Sequence, residues 1–304
     1  MPVPEPFDPP PGQAQTLGPG LRRILAPNPS PMTWRGTNTY LLGESDLAVI
    51  DPGPRSKAHL EAILAALRPG QRISHIIVSH AHLDHAPLAR DLKAVCGAPV
   101  YGFGPAQAGR SEVMQSLARA GLTGGEGVDT GFSPDQPVAD GKVLHGSGWA
   151  LEVIHTPGHM GNHICLGWEG SCFTADHVMG WASSLVSPPD GDLTDFMVSC
   201  QRLRRRSWHR FYPGHGAVIE DPAERLDWLI SHRLDREAAV LAALVAGPAR
   251  AAEIARLVYH DTPAALIPAA TRNVLAHLID LEQRNEVWVQ GALHADSRFE
   301  RASQ

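Results

Sequence analysis

Residues 79–85 read SHAHLDH. Three imidazoles and a carboxylate, His80, His82, Asp84 and His85, fall within six positions. Nitrogen and oxygen donors in this mixture suit a divalent metal of borderline hardness such as zinc. The spacing says how they divide. On extended backbone, residues two apart point the same way, so His80 and His82 can grip one ion. A chain that then curls into a helix turns Asp84 and His85 towards a second. Even among 16 histidines in 304 residues, H-x-H-x-D-H is a rare string, and its structural setting tests it.

That setting is legible in the flanks. Residues 73–78 form a short run rich in β-branched apolar side chains and read as a buried strand. Residues 86–94 have helical composition, with Pro87 in the first turn, where proline is tolerated. The donors therefore sit where a strand ends and a helix begins. The same arrangement recurs three times. A strand over 149–154 runs into His155-Thr156-Pro157-Gly158-His159. A hairpin of 164–166 with 171–174 ends at Ala175-Asp176-His177. A strand-like piece over 210–212 leads to Pro213-Gly214-His215-Gly216. Strand ends thus offer five histidines and two aspartates. His80, His82 and His159 would hold one metal; Asp84, His85 and His215 would hold the other; Asp176 would bridge them. The shared position left for water marks a catalytic centre, because structural zinc sites are closed. Asp51, at the exit of a strand over 47–50, is either a turn former or a carboxylate that orients a ligand imidazole. Asn162 and His163 follow His159 closely and are candidates to touch substrate; for His163 the alternative is a hydrogen bond within a turn. Residues 35–39 would border the cleft.

The remainder reads as an ordinary globular chain, 43% hydrophobic and 19% charged. Strands are expected at 21–25, 40–42, 47–50 and 99–102, and a strand pair at 138–144 and 149–154. An amphipathic helix spans 58–67, on Leu60, Ile63, Leu64 and Leu67, and a helical stretch over 105–125 fades into glycine-rich loop. No apolar run approaches the roughly 18 residues of a membrane span. The proline-rich start, MPVPEPFDPPPGQAQ, lacks the features of a secretory signal and suggests a loose arm over 1–20. Cys96, Cys165, Cys172 and Cys200 form no C-x-x-C pair, which fits reduced thiols in a cytoplasmic protein. A formal charge of −6 gives no general attraction to phosphate polymers. Arg202, Arg204, Arg205 and Arg206 form the one basic cluster, either a solvated helix end or a phosphate-contacting patch. From 221 the composition turns helical. Leu226, Leu229, Ile230, Leu234, Ala238, Leu241 and Val245 make one apolar stripe. Helices over 253–258 and 269–281 and a strand over 287–289 follow, the outline of a winged helix.

At these residues the chain resembles the metallo-β-lactamase superfamily. The carriers are His80-x-His82-x-Asp84-His85, His159 in HTPGH, Asp176, and His215 in PGHG. The resemblance covers about 20–220. It implies an α+β, four-layer αββα sandwich of two mixed sheets with helices outside, a dinuclear site at one sheet edge, and the ligand-orienting role for Asp51. His82 stands where the diiron flavoprotein branch has a glutamate. Class B β-lactamases lack the bridging aspartate that Asp176 would be. The RNA-processing branch with a long insertion has no room for it here, and the glyoxalase II branch stays open. The strings SHRLDRE at 231–237 and LVYHDTP at 257–263, with Asn273 and His277-Leu278, resemble the lactamase-β-like family, whose mitochondrial member is a single-strand endoribonuclease. The implied plan is an arm over 1–20, a catalytic domain over 21–220 and a winged-helix-like domain over 221–304.

The expected chemistry is metal-assisted hydrolysis by two divalent ions, zinc with manganese or iron as alternatives. A water between them becomes a nucleophile, and Asp84 both ligates and orients it. The leaving group would take its proton from a bound water or from His163. Three functions compete: hydrolysis of single-stranded RNA, hydrolysis of a small ester or thioester in the manner of glyoxalase II, and a nucleic-acid-binding regulator with a relic metal site. Residues 221–304 carry nine arginines, no lysine and twelve acids, which tells against duplex DNA as a partner. The last domain is better suited to walling the cleft or to forming a homodimer surface.

Overall fold

The computed structural model describes residues 7–124, 127–289 and 291–302. The first half of the chain builds one sheet whose strands lie in chain order. They are β1 (Ala14–Gly18), β2 (Leu21–Leu25), β3 (Asn38–Leu42), β4 (Asp46–Ile50), β5 (Arg72–Ile77), β6 (Val100–Gly102) and β7 (Gln136–Pro137). Pairing is antiparallel through β4 and parallel thereafter. Three helices lie between these strands: α1 (Lys57–Ala65), α2 (Leu88–Cys96) and α3 (Glu112–Arg119). Ser56 and Ser111 cap α1 and α3 by accepting backbone N–H bonds. Gly97, in the left-handed region at φ 73°, ends α2.

A second sheet holds β8 (Val143–Gly146), β9 (Trp149–His155), β10 (Ile164–Trp168), β11 (Ser171–Ala175) and β12 (Phe211–Pro213). The helix α4 (Leu193–Arg204) precedes β12. Alternation along the strands explains the layers. Leu41, Leu47 and Val49 pack with Ile63, Leu88 and Leu92 of α1 and α2. Their neighbours Tyr40, Leu42, Ala48 and Ile50 face the other way, onto Leu151, Val153, Ile164, Leu166 and Phe173 of the second sheet. Ile154, Cys165 and Cys172 leave that sheet's far side and meet Phe196, Cys200 and Leu203 of α4. Helix, sheet, sheet, helix is the expected four-layer order.

The C-terminal part comprises α5 (Pro222–Ala243), α6 (Ala251–Val258), α7 (Ile267–Gln283) and a three-stranded wing of β13 (Ala249–Arg250), β14 (Val287–Val289) and β15 (Arg298–Arg301). It is not a detached unit. Leu226 and Leu229 of α5 join the outer core of the second sheet. Met114 and Leu122, at and beyond α3, join the core of α5, α6 and α7. No helix among the described residues is long and apolar enough to cross a membrane.

Three expectations need correction. The loose arm fails over 14–18, which pair with β2 as an edge strand. Phe7 is buried, against Trp34 and beneath the Arg23 guanidinium. Residues 1–6 lie outside the described residues. The proline-rich composition hid a short strand that only its sheet partner stabilises. The strand expected at 138–144 begins only at Val143, in β8, and residues 138–142 are the connection from β7 of the first sheet to β8 of the second. A turn with Gly141 at φ 75° separates them, which a run of alternating residues does not reveal. The helical stretch at 105–125 is helical only over α3, because Gly109 and Gly121 adopt positive φ on either side. Position 125 lies outside the described residues.

Candidate metal centre

All the predicted donors converge at one end of the sandwich. Ligand atoms of His80, His82, His159 and Asp176 lie within 4.8 Å of one another, and so do those of Asp84, His85, Asp176 and His215. Asp176 is common to both sets. Its Oδ1 is 3.3 Å from His85 Nε2, and its Oδ2 is 3.4 Å from His215 Nε2 and 3.7 Å from His159 Nε2.

Backbone ties fix the loop that carries four of these donors. Leu83 N–H donates to Gly127 O, Asp129 N–H to Ala81 O, and Ile164 N–H to Ser79 O. The other ligands ride on strand ends. Gly158, at φ 141°, lets the HTPGH turn approach α4; a Cβ there would lie 2.5 Å from Phe196 N. Gly214 serves the same purpose beside Asp176. A Cβ there would meet its Oδ1 and lie 2.7 Å from His85 Cε1.

The outer nitrogens decide the tautomers. His159 Nδ1 lies 2.6 Å from Leu185 O, and His215 Nδ1 3.0 Å from Gly36 O. A carbonyl only accepts, so both rings carry their proton on Nδ1. His85 Nδ1 lies 2.9 Å from Asp51 Oδ2. Ser79 Oγ already donates to Asp51, at 2.7 Å, so it accepts from His80 Nδ1 at 2.9 Å. Each of the four imidazoles thus has its Nε2 left to face inward as a candidate ligand atom. His80 Nε2 stands 2.9 Å, and His159 Nε2 3.0 Å, from His82 Nδ1. His85 Nε2 is 3.3 Å from His215 Nε2. Ring nitrogens packed this closely need a proton or a cation between them. Asp176 Oδ1 is buried without a hydrogen-bond partner. Donor types, tautomers and this orphaned oxygen all fit a pair of divalent ions.

The electrostatics agree. Burial holds His80 and His159 below the usual imidazole range, and His82 down to about 3, so these rings stay neutral ligands. Burial opposes charge on Asp84 and Asp176 as well. The neighbouring His85 and His215 outweigh it and hold both carboxyls below their ordinary range. Reciprocally, burial disfavours charge on His85 and His215, but Asp176 and Asp84 prevail; His85 is held well above its usual value and His215 at about 10. Two buried carboxylates demand positive charge, and bound cations satisfy the same demand.

Residues 32–215 match the family described as the metallo-beta-lactamase superfamily. The chain belongs to that superfamily. Residues 251–293 match the beta-lactamase associated winged helix domain. Among relatives, a beta-lactamase-like protein 2 homolog of Drosophila melanogaster is 32% identical over 289 residues, 91% of this chain and 92% of that one. An atrochrysone carboxyl ACP thioesterase of Aspergillus fumigatus is 31% identical over 241 residues, 76% of this chain and 67% of that one. A metallo-beta-lactamase family protein from Thermus thermophilus superposes with a TM-score of 0.75 at 26% identity, covering 94% of this chain and 100% of that one. The chain is a metallo-beta-lactamase-fold hydrolase whose site is able to hold divalent metal.

Around the superfamily's donors, the structure separates the remaining candidates. Asp51 is buried and accepts from Ser79 N–H as well as Ser79 Oγ and His85, so it orients ligands rather than forming a surface turn. Residues 35–39 hold the His215 turn: Asn38 Nδ2 donates to Pro213 O and Gly216 O. Two expectations are corrected. His163 is 0% exposed, its ring lying 5.1 Å from that of His80 and its Nδ1 2.9 Å from Thr156 Oγ1. It lies beside His80 and His177 with no exposed surface, and burial keeps it neutral, which does not suit a proton donor. Asn162 is buried too and ties Ala81 N–H to the carbonyls of Gly104 and Pro105 instead of facing substrate. The HTPGH turn folds both inward. Three of the four clustered arginines are engaged: Arg202 with Asp140, Arg204 with Asp227, Arg206 with Glu152.

The sequence reading missed the carbonyls of Leu185 and Gly36, which carry no side-chain signal. It also missed an aromatic pair, Trp34 and Trp181, with ring centroids 5.6 Å apart. Both pack on Gly216, next to His215. Met32 and Leu83 are exposed, the latter between two donors of the loop.

Proposed function

We propose that the protein hydrolyses thioesters or activated esters with an apolar or aromatic acyl group, using a dinuclear metal centre. The observation that carries this reading is the burial of His163. Cleaving an ordinary alkoxide from RNA calls for a proton donor, and with His163 buried only a bound water is left to supply it. A thiolate leaves readily without one, since a thiol ionises at about 8.5. The aromatic pair and the apolar residues of the rim suit an apolar acyl group, and the thioesterase among the relatives supports the same class. In this reading His80, His82 and His159 hold one ion, and Asp84, His85 and His215 the other, with Asp176 shared. When bound, the ions make water acidic near neutral pH and counter the negative charge that develops on the carbonyl oxygen. Asp84, whose side chain is 26% exposed, orients the attacking water, while Trp34 and Trp181 position the acyl group.

The second reading, cleavage of single-stranded RNA, draws on the resemblance spanning the chain and on an aromatic pair that suits base stacking. The engaged arginines tell against it. One experiment separates the two. The purified protein is assayed on an aryl thioester, a glutathione thioester, single-stranded RNA and a chromogenic β-lactam, each with and without chelator. Chelator-sensitive thioester hydrolysis is expected, with zinc the first metal to find on elemental analysis. RNA cleavage without thioester turnover would select the second reading, and turnover unaffected by complete metal removal would sink both.

A further inference from the structure

Residues 178–191 connect β11 to α4 without helix or strand. Such a segment must find partners for its backbone groups, and here they come from the C-terminal helices. Arg225 of α5 donates to Met179 O and Ala182 O, each at 2.7 Å. Arg233 of α5 donates to Ser183 O at 2.7 Å and Ser184 O at 2.8 Å. Asn273 of α7 accepts from Val186 N–H at 2.9 Å and from Arg233 Nη1 at 3.2 Å. Arg225 and Arg233 are buried, at 6% and 2% exposure. Among the described residues neither has a carboxylate within ion-pair distance. Burying such guanidiniums is expensive, and fork-shaped donors serve well where several carbonyls must be held in fixed relation.

Between the gripped Ser184 and the gripped Val186 lies Leu185, whose carbonyl receives the His159 Nδ1 proton at 2.6 Å. His159 is the one histidine of its set supplied from outside the SHAHLDH loop. Its ring orientation rests on that carbonyl, and the carbonyl rests on α5 and α7.

We propose that Arg233 and Asn273 are positioning residues for the metal site of His80, His82 and His159, acting through Leu185 O on His159. The winged-helix part then works as a clamp on one metal ligand. This rests on the dinuclear reading above.

The test uses the metal-free full-length chain, titrated with Co2+ by visible absorption and with Zn2+ against a competing chelator. Thermal midpoints are measured on the same metal-free samples. Asn273→Ala should weaken one of two bound ions by roughly 10- to 100-fold, the range for partners of ligand histidines, and leave the other unchanged. Asn273→Asp, which keeps an acceptor oxygen beside Arg233 and Val186, should restore most of the loss. Arg233→Lys, which cannot span three acceptors, should behave like Asn273→Ala. In a His159→Ala background, Asn273→Ala should add nothing. Equal weakening of both ions, a further loss in the His159→Ala background, or a lowered thermal midpoint with unchanged affinities would overturn the proposal. Failure of the parent chain to bind metal would defeat the dinuclear reading itself, and that result is distinct from a parent that binds two ions as tightly as its variants do.

Discussion

Each of His80, His85, His159 and His215 commits its outer nitrogen to an acceptor, which suits it to metal ligation rather than to base catalysis. Loss of the inner donors should therefore remove metal and chemistry together. For His80→Ala with His82→Ala, metal content should fall to one ion or none. Activity on the best substrate should drop by about 10³-fold or more, as expected when several kcal/mol of metal assistance is lost. Metal analysis and initial rates check it, and a metal-poor double variant with full activity would contradict the assignment. Asp51→Asn swaps a carboxylate that accepts three bonds for an amide. Metal affinity should fall roughly 10- to 100-fold, read by chelator competition.

At the scale of elements, strand ends deliver the donors and close approach keeps them together. Gly214→Ala puts a methyl group against Asp176 and His85. Bound metal should fall from two ions towards one, because the Cβ displaces ligands of the Asp84, His85 and His215 set. Helix α1 contributes a pH dependence of its own. His59 is fully buried, its Nε2 lies 2.8 Å from Thr39 Oγ1, and burial lowers its pKa to about 4. Its folded value lies below the unfolded one of about 6.5. The stability it contributes is thus complete above about pH 6.5 and lost as pH falls towards 4, on the order of 3 kcal/mol at the limit. His59→Gln should flatten the fall of the thermal midpoint across that window relative to the parent. An identical slope in both proteins would refute the attribution. The strands around this helix were legible from alternation. The strand Ala14–Gly18 and the division of 136–146 between two sheets were not, because pairing across a sheet, rather than local composition, creates them.

For the whole molecule, α5 closes both the catalytic sandwich and the C-terminal core. A chain cut after residue 220 would expose Phe196, Leu203 and Phe211, each 0% exposed in the intact protein. Large apolar side chains contribute about 1.5–3 kcal/mol each through burial, so the fragment should be insoluble or lack a cooperative thermal transition. A fragment that melts cooperatively near the parent's midpoint would show the sandwich to be self-sufficient. Metal removal from the full chain should lower the midpoint in proportion to the logarithm of the free metal concentration over its dissociation constant.

By itself the sequence picked out the candidate metal donors that the structure gathers, and its family resemblance implied the layer order that the fold shows. Histidines and aspartates at strand exits are a local pattern, legible before any packing is known. Only the tertiary structure decided which backbone carbonyls hold the outer nitrogens of His159 and His215, and that His163 and Asn162 turn inward. It also decided that α5 and α7 hold the loop behind His159. Those outcomes depend on backbone carbonyls and on partners such as Gly36 and His215, 179 positions apart. No spacing along a chain encodes such a meeting before the sheets have packed.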